Sequence, residues 1–166
     1  RKQEDQNALW EALQNGEIDT VATDHCSFTT AQKRAGRYDF TRIPGGLPSV
    51  EHRGVLLCTH GVAAGRISPP ALCRVLSENP AKLYGCWPRK GVIAPGSDGD
   101  IVVYDPAADG VISASSQAQR ADYTPYEGWK TVGSIAQVYL RGQLAVDHGE
   151  ILETQGQFIP RGKTQL

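Results

Sequence analysis

Residues 18–28 read IDTVATDHCSF, and the order of residue types in this stretch decides how the rest of the chain is read. Ile18, Val21 and Ala22, with Thr20 and Thr23 between them, are the β-branched and small residues that suit a buried strand. Asp24, His25 and Cys26 follow at once, where a strand gives way to a loop. A carboxylate so placed is either a cap or turn residue, or a catalytic group at the mouth of a parallel sheet. Upstream, Leu9, Trp10 and Leu13 share one face of a helix expected over 5–15, which Gly16 can close. A helix leading into a strand that ends in polar residues is the order of barrel and doubly wound α/β folds.

Downstream, residues 29–47 form a connection too long for a passive link, which favours a functional loop. Pro48 and Ser49 can open a helix through about Val62, with Val50, Leu57 and Val55 inward. Ser68-Pro69-Pro70 opens a third helix, a serine cap followed by proline in the first turn. Asn79-Pro80 repeats that signal for a short fourth. After Trp87-Pro88 the character changes. A strand is expected over 101–104, bounded by Asp-Gly and Asp-Pro, and two more over about 134–140 and 143–147, joined by Arg141-Gly142. The expected division is therefore 1–88, helical and α/β-like, then 89–152, β-rich, then a tail over 153–166.

Bulk properties exclude several classes of function. The 166 residues carry a net charge of −1 and no basic run, so nucleic-acid or anionic-membrane binding has no electrostatic support. Apolar runs are too short to span a bilayer, and RKQEDQ does not read as a signal peptide. Four cysteines, at 26, 58, 73 and 86, form no CxxC pair and no compact zinc-finger spacing, and are expected to be buried free thiols in a reducing cytoplasm. The chain contains no methionine and opens in mid-flow, so it is expected to be one piece of a longer protein.

Blocks in a fixed order carry a more specific signal: VATDHCSF (21–28), FTRIPGGLPSVEHR (40–53), PRKGVIAPGSDGDIVVYDP (88–106), ADYTPYEGW (121–129) and GQFIPRG (156–162). Together they resemble the C-terminal third of the dihydropyrimidinase/hydantoinase family, cyclic-amide hydrolases of the amidohydrolase superfamily. The resemblance implies an α/β fold, the C-terminal part of a TIM-like (β/α)₈ metal-dependent hydrolase barrel with part of a small composite β-sandwich. It implies a binuclear zinc centre at the C-terminal ends of the barrel strands, with Asp24 as both metal ligand and catalytic proton relay. In such enzymes a metal-bridging hydroxide attacks the ring amide carbon of a hydantoin or dihydropyrimidine. Gly45 and Gly46 match the family's Asn-Gly pair, whose main-chain groups bind the substrate imide; glycine here stands where asparagine is usual. A cytoplasmic homo-oligomer, dimer or tetramer, is implied as well.

The remaining family ligands, four histidines and a carboxylated lysine, have no matching position in this chain. His25 is expected to pack or hydrogen-bond, His52 and His60 to be surface or cap residues on a helix, and His148 to lie in a turn. Cys26 reads as a small packing residue rather than a nucleophile. Asp98 and Asp100 read as a turn rather than a calcium site, and Tyr123, Tyr126 and Trp129 as a cover over the junction between the two parts. With one metal ligand of six, and one barrel strand whose two edges would both lack partners, the chain alone is expected to be inactive, and to associate or be loosely folded. The alternatives are an inactive fragment, or a non-catalytic oligomeric scaffold of the collapsin response mediator type. In that branch the aspartate of the DHC block is typically replaced, whereas Asp24 is kept here.

Overall fold

The computed structural model describes residues 2–166. Its first part is helical. Helix α1, Gln3–Asn15, starts with Asp5 reaching back to the Lys2 backbone N–H at 2.9 Å and stops at Gly16, whose φ of 82° only glycine adopts at little cost. Leu13 of α1 packs with Ile67, Ala71 and Val75, and Trp10, Ile18, Val21, Val62, Leu72 and Leu76 close around them.

The helix expected from 49 to 62 begins later and is not uniform. Residues 49–52 form a turn, α3 spans Arg53–Leu57, and a wider π-helical run continues over Cys58–Ala63. The delay has a visible cause: Ser49 does not cap, because its hydroxyl donates to the Thr23 and Leu47 carbonyls at 3.3 Å each. Val50 lies outward, 47% exposed, against the inward position expected for it, while Val55 and Leu57 are half-buried.

Ser68 caps the next helix through the Ala71 N–H, with Pro69 in the first turn, as the spacing predicts. The Asn79-Pro80 signal does not open a separate helix. Helix α4 (Pro69–Cys73), a π-helical run over Arg74–Glu78 and α5 (Asn79–Leu83) follow without a break. Pro80 has no N–H to give the preceding turn, and the widened π turn before it accommodates that loss. Asn79 turns its side chain to the Asp19 carbonyl instead, at 3.0 Å.

The strand expected over 18–23 is not in a sheet. The segment is extended, and its one edge is covered by helix side chains. The Asp19 carbonyl accepts from Asn79, the Val21 carbonyl from Arg53 at 3.0 Å, and the Thr23 carbonyl from Ser49; the Val21 N–H donates to the Val75 carbonyl. Alternate residues of an extended chain present their carbonyls to the same side, which is why 19, 21 and 23 all find partners there. The expectation of two bare edges is therefore corrected to one.

The later residues form a four-stranded antiparallel sheet in the order β1 (Ile101–Asp105), β4 (Ser134–Leu140), β5 (Gln143–Asp147), β6 (Glu150–Ile151). Along the chain, the connection from β1 to β4 carries a separate two-stranded ladder of β2 (Gly110–Val111) and β3 (Lys130–Thr131). Asp98 and Asp100 are engaged by cations: Arg89 and Lys90 reach Asp98 at 3.0 and 2.9 Å, and Lys90 also pairs with Asp100. The tail returns to α5, where Gly162 and Gln165 N–H groups donate to the Gly85 and Lys82 carbonyls at 2.7 and 3.0 Å. It thus gives the Gly85 carbonyl a donor and the Lys82 carbonyl a second one beside the Gly85 N–H.

Candidate functional site

Asp24 stands at the end of the extended segment with φ of 49°, in the left-handed region that a non-glycine residue occupies at some cost. The residue is exposed and its carboxylate joins no ion pair among the described residues. His25 next to it is committed elsewhere. Its Nδ1 accepts from the Ser49 and Val50 N–H groups at 3.0 and 3.3 Å, doing for that helical turn what a serine cap would have done. A ring nitrogen that accepts two backbone N–H groups is not free to ligate a metal.

The loop of Gly45 and Gly46 lies directly against the Asp24 loop. The Cys26 N–H donates to the Leu47 carbonyl at 3.2 Å, within an isolated parallel bridge between His25 and Leu47. Gly46 has φ of 85°, and a Cβ added there would meet Cys26 Sγ at 2.5 Å and the Asp24 carbonyl oxygen at 3.4 Å. Cys26 is thus a packing residue whose thiol fills the space a side chain at 46 would need. Gly45 differs: it is exposed, with nothing within 4 Å of an added Cβ. Its main-chain N–H and C=O enter no hydrogen bond among the described residues.

The structure thus brings Asp24, Gly45 and Gly46 to one place and leaves the other chemistry-bearing residues apart. His52, expected as a surface or cap residue, stands at the N-cap position of α3 but is buried and makes no capping hydrogen bond with its side chain. Its Nε2 faces Gln117 Oε1 at 3.3 Å, and Tyr126 meets the ring edge-on. His60, also expected as a surface or cap residue, is half-buried against Trp129, with ring centroids 5.6 Å apart. Tyr126 and Trp129 thus join the helical run to the connection that leads into β3. His148 lies in the turn between β5 and β6, exposed. The cysteines are free, but Cys73 is exposed and the other three are half-buried, so the expectation of buried thiols is corrected. Burial pushes the Cys58 thiol up, away from the reactive thiolate, and holds nearby Tyr104 up to about 12.

Asp24 fits one position in a metal centre, as an exposed oxygen donor free of competing cations. Among the described residues no three His, Cys, Asp or Glu side chains gather as a metal site, and one donor does not hold an ion. No described helix is long and apolar enough to cross a membrane.

Comparison with known proteins gives this geometry a family. The sequence model of the amidohydrolase family matches residues 1–145, and the chain belongs to that family. Within it, the likeness is to the dihydropyrimidinase/hydantoinase group. A D-phenylhydantoinase of Escherichia coli O127:H6 is 42% identical over 164 residues, 97% of this chain and 36% of its own length. Among solved structures, a D-hydantoinase (dihydropyrimidinase) from Thermus sp. has a TM-score of 0.88 at 45% identity, over 93% of this chain and 34% of that one. An L-hydantoinase (dihydropyrimidinase) from Arthrobacter aurescens has a TM-score of 0.89 at 35% identity, over 97% and 36%. The chain spans about a third of the length of the relatives it matches. Their barrel fold is thus shared in the part this chain represents, and the family is generally metal-dependent.

The sequence did not reveal Lys33, whose ammonium donates to the Pro44 carbonyl and, at 2.6 Å, to the Gly46 carbonyl. No motif points to it, because the interaction is with main-chain oxygens that every sequence supplies.

Proposed function

We propose that the protein carrying this chain hydrolyses the amide bond of a cyclic ureide, a hydantoin or a dihydropyrimidine, to an N-carbamoyl amino acid. The observation that supports this best is the apposition of the Asp24 turn and the Gly45–Gly46 loop. An unpaired carboxylate stands beside main-chain groups that are free to bind an imide. In this reading residues 1–88 belong to the barrel, residues 89–152 to the small β-domain, and 153–166 to a tail that docks on α5.

A pair of zinc ions, when bound, supplies Lewis acidity and lowers the pKa of water so that it attacks at neutral pH. Asp24 serves as one oxygen ligand. Its free carboxylate oxygen accepts the proton of the attacking water and delivers it to the ring nitrogen as the C–N bond breaks. Gly45 supplies N–H and C=O to the imide, a donor and acceptor matched to the substrate edge. Because only main-chain atoms take part, glycine can stand for asparagine there, at the cost of a looser loop. Asp24 is one donor of the centre, so turnover requires residues beyond those of this chain. A cytoplasmic homo-oligomer completes the proposal.

The test is direct. The protein is incubated with 5-phenylhydantoin and, separately, with dihydrouracil, and the ring-opened N-carbamoyl product is measured. Chelation should abolish product formation and zinc should restore it. Absence of ring opening with a full complement of zinc would remove the assignment.

A further inference from the structure

We propose that Lys33 is a positioning residue for substrate: by holding the carbonyls of Pro44 and Gly46, it fixes the main chain of Gly45 between them. The inference rests on the reading that this loop binds the substrate imide. Lys33 comes from α2 (Thr30–Arg34), inside the long connection between the Asp24 turn and the glycine loop. Its Nζ donates to the carbonyls on both sides of Gly45 and to nothing on Gly45 itself. The ammonium is half-buried, with the Phe28 ring centroid 5.6 Å away, and has no carboxylate partner among the described residues.

A lysine placed only for solubility would point its charge to water. Here two of its three donors are given to the neutral carbonyls that flank Gly45, whose own N–H and C=O stay open. A flexible glycine pair needs such a constraint, since neither glycine restricts the loop by itself.

Five residues cannot sustain a helix alone, so the place of Lys33 depends on what anchors α2. Thr29 and Gln32 form a reciprocal cap at its start. Asp122, from the connection between β2 and β3, accepts from the Thr30 N–H at 2.7 Å and the Thr30 hydroxyl at 3.2 Å. The chain of contacts thus runs from Asp122 through α2 and Lys33 to the substrate loop.

Three variants of the protein test this: Lys33→Met, which keeps length and packing but removes the donors, Lys33→Arg, which keeps donors, and Asp122→Ala, which loosens α2. Hydantoin hydrolysis and hydrogen–deuterium exchange of residues 44–47 are measured for each. We expect Lys33→Met to raise KM about tenfold with kcat within about twofold, a loss of binding preorganisation rather than of chemistry. Exchange should quicken at Gly45 and Gly46 while the melting temperature holds. Lys33→Arg should recover most of the KM, and Asp122→Ala should shift it in the same direction by less. An unchanged KM and unchanged exchange in Lys33→Met would overturn the inference. So would equal loss of kcat and melting temperature that arginine does not rescue. If the parent protein opens no cyclic ureide, the functional proposal fails, and the exchange of residues 44–47 alone decides the role of Lys33.

Discussion

The antiparallel sheet and the extended segment 18–23 solve the same problem in different ways. Every strand must pair its main-chain N–H and C=O groups. The strands β4, β5 and β6 do so with neighbours a tight turn away. Those turns have two left-handed residues each, Arg141-Gly142 at φ 49° and 78° and His148-Gly149 at 45° and 86°, the geometry that suits the twist of a hairpin. A parallel barrel strand cannot be served locally, because its neighbours lie across connections of a dozen or more residues. Segment 18–23 therefore borrows side chains from Ser49, Arg53 and Asn79 on one edge, while Thr20 and Ala22 form no main-chain hydrogen bonds among the described residues on the other. Strands β4, β5 and β6 thus pair within a short stretch of chain, whereas the segment that ends in Asp24 is held by side chains from positions 49, 53 and 79.

If the Asp24 region is held this way, its tightest packing point should be its weakest tolerance. Gly46→Ala combines a left-handed φ with a Cβ 2.5 Å from Cys26 Sγ, so it should cost about 3 kcal/mol, combining backbone strain with overpacking. Gly45→Asn, the residue usual in the family, should be tolerated because nothing lies within 4 Å. Equal melting temperatures for the two variants would refute the contrast between them.

Core truncation separates the two regions next. Val75 is fully buried in the helical core, whereas Val102 of β1 is 59% exposed. Val75→Ala should destabilise by about 2 kcal/mol in denaturant unfolding, and Val102→Ala by less than about 0.5 kcal/mol. A Val102 effect as large as that of Val75 would mean that β1 is covered in the intact protein.

The smallest effect is on acid. Hydrogen bonding from Lys90 holds Asp98 below its usual value, that from the Ala114 N–H and Ser113 does so for Glu127, and that from Gln137 and His148 for Asp147. All three belong to the strand-rich region. A carboxyl with a lowered folded pKa contributes stability that is present above its unfolded pKa and is lost as pH falls through the folded value. Backbone amide NMR from pH 6 to 3 should therefore show β4 and β5 loosening below about pH 4, before α4 does. Simultaneous loss in both would contradict this.

How legible each region was in the sequence follows the same division. The strands β1, β4 and β5 could be read because alternation and turn residues act over a few positions. The Gly16 stop of α1 and the Ser68-capped start of α4 were equally local. Three features were not. The extended segment 18–23 has strand composition without sheet partners, since composition says nothing about who pairs with it. The late start of α3 depends on the Thr23 carbonyl, which takes the Ser49 hydroxyl from 26 residues away. The burial of His52 depends on Gln117 and Tyr126, which only the tertiary fold brings near. In the candidate site, the position of Asp24 at a segment end was legible, and the family resemblance added Gly45 and Gly46; the contribution of Lys33 was not, because it acts on main-chain carbonyls.

In the proposed hydrolysis Asp24 carries the proton in ring opening. Its most direct test is hydantoin turnover by the protein and by its Asp24→Asn variant at matched zinc content, with the melting temperature measured beside it. Loss of kcat by about a thousandfold or more at an unchanged melting temperature is the expected result, since asparagine keeps the shape but cannot accept the proton. Undiminished hydrolysis by Asp24→Asn would contradict the claim.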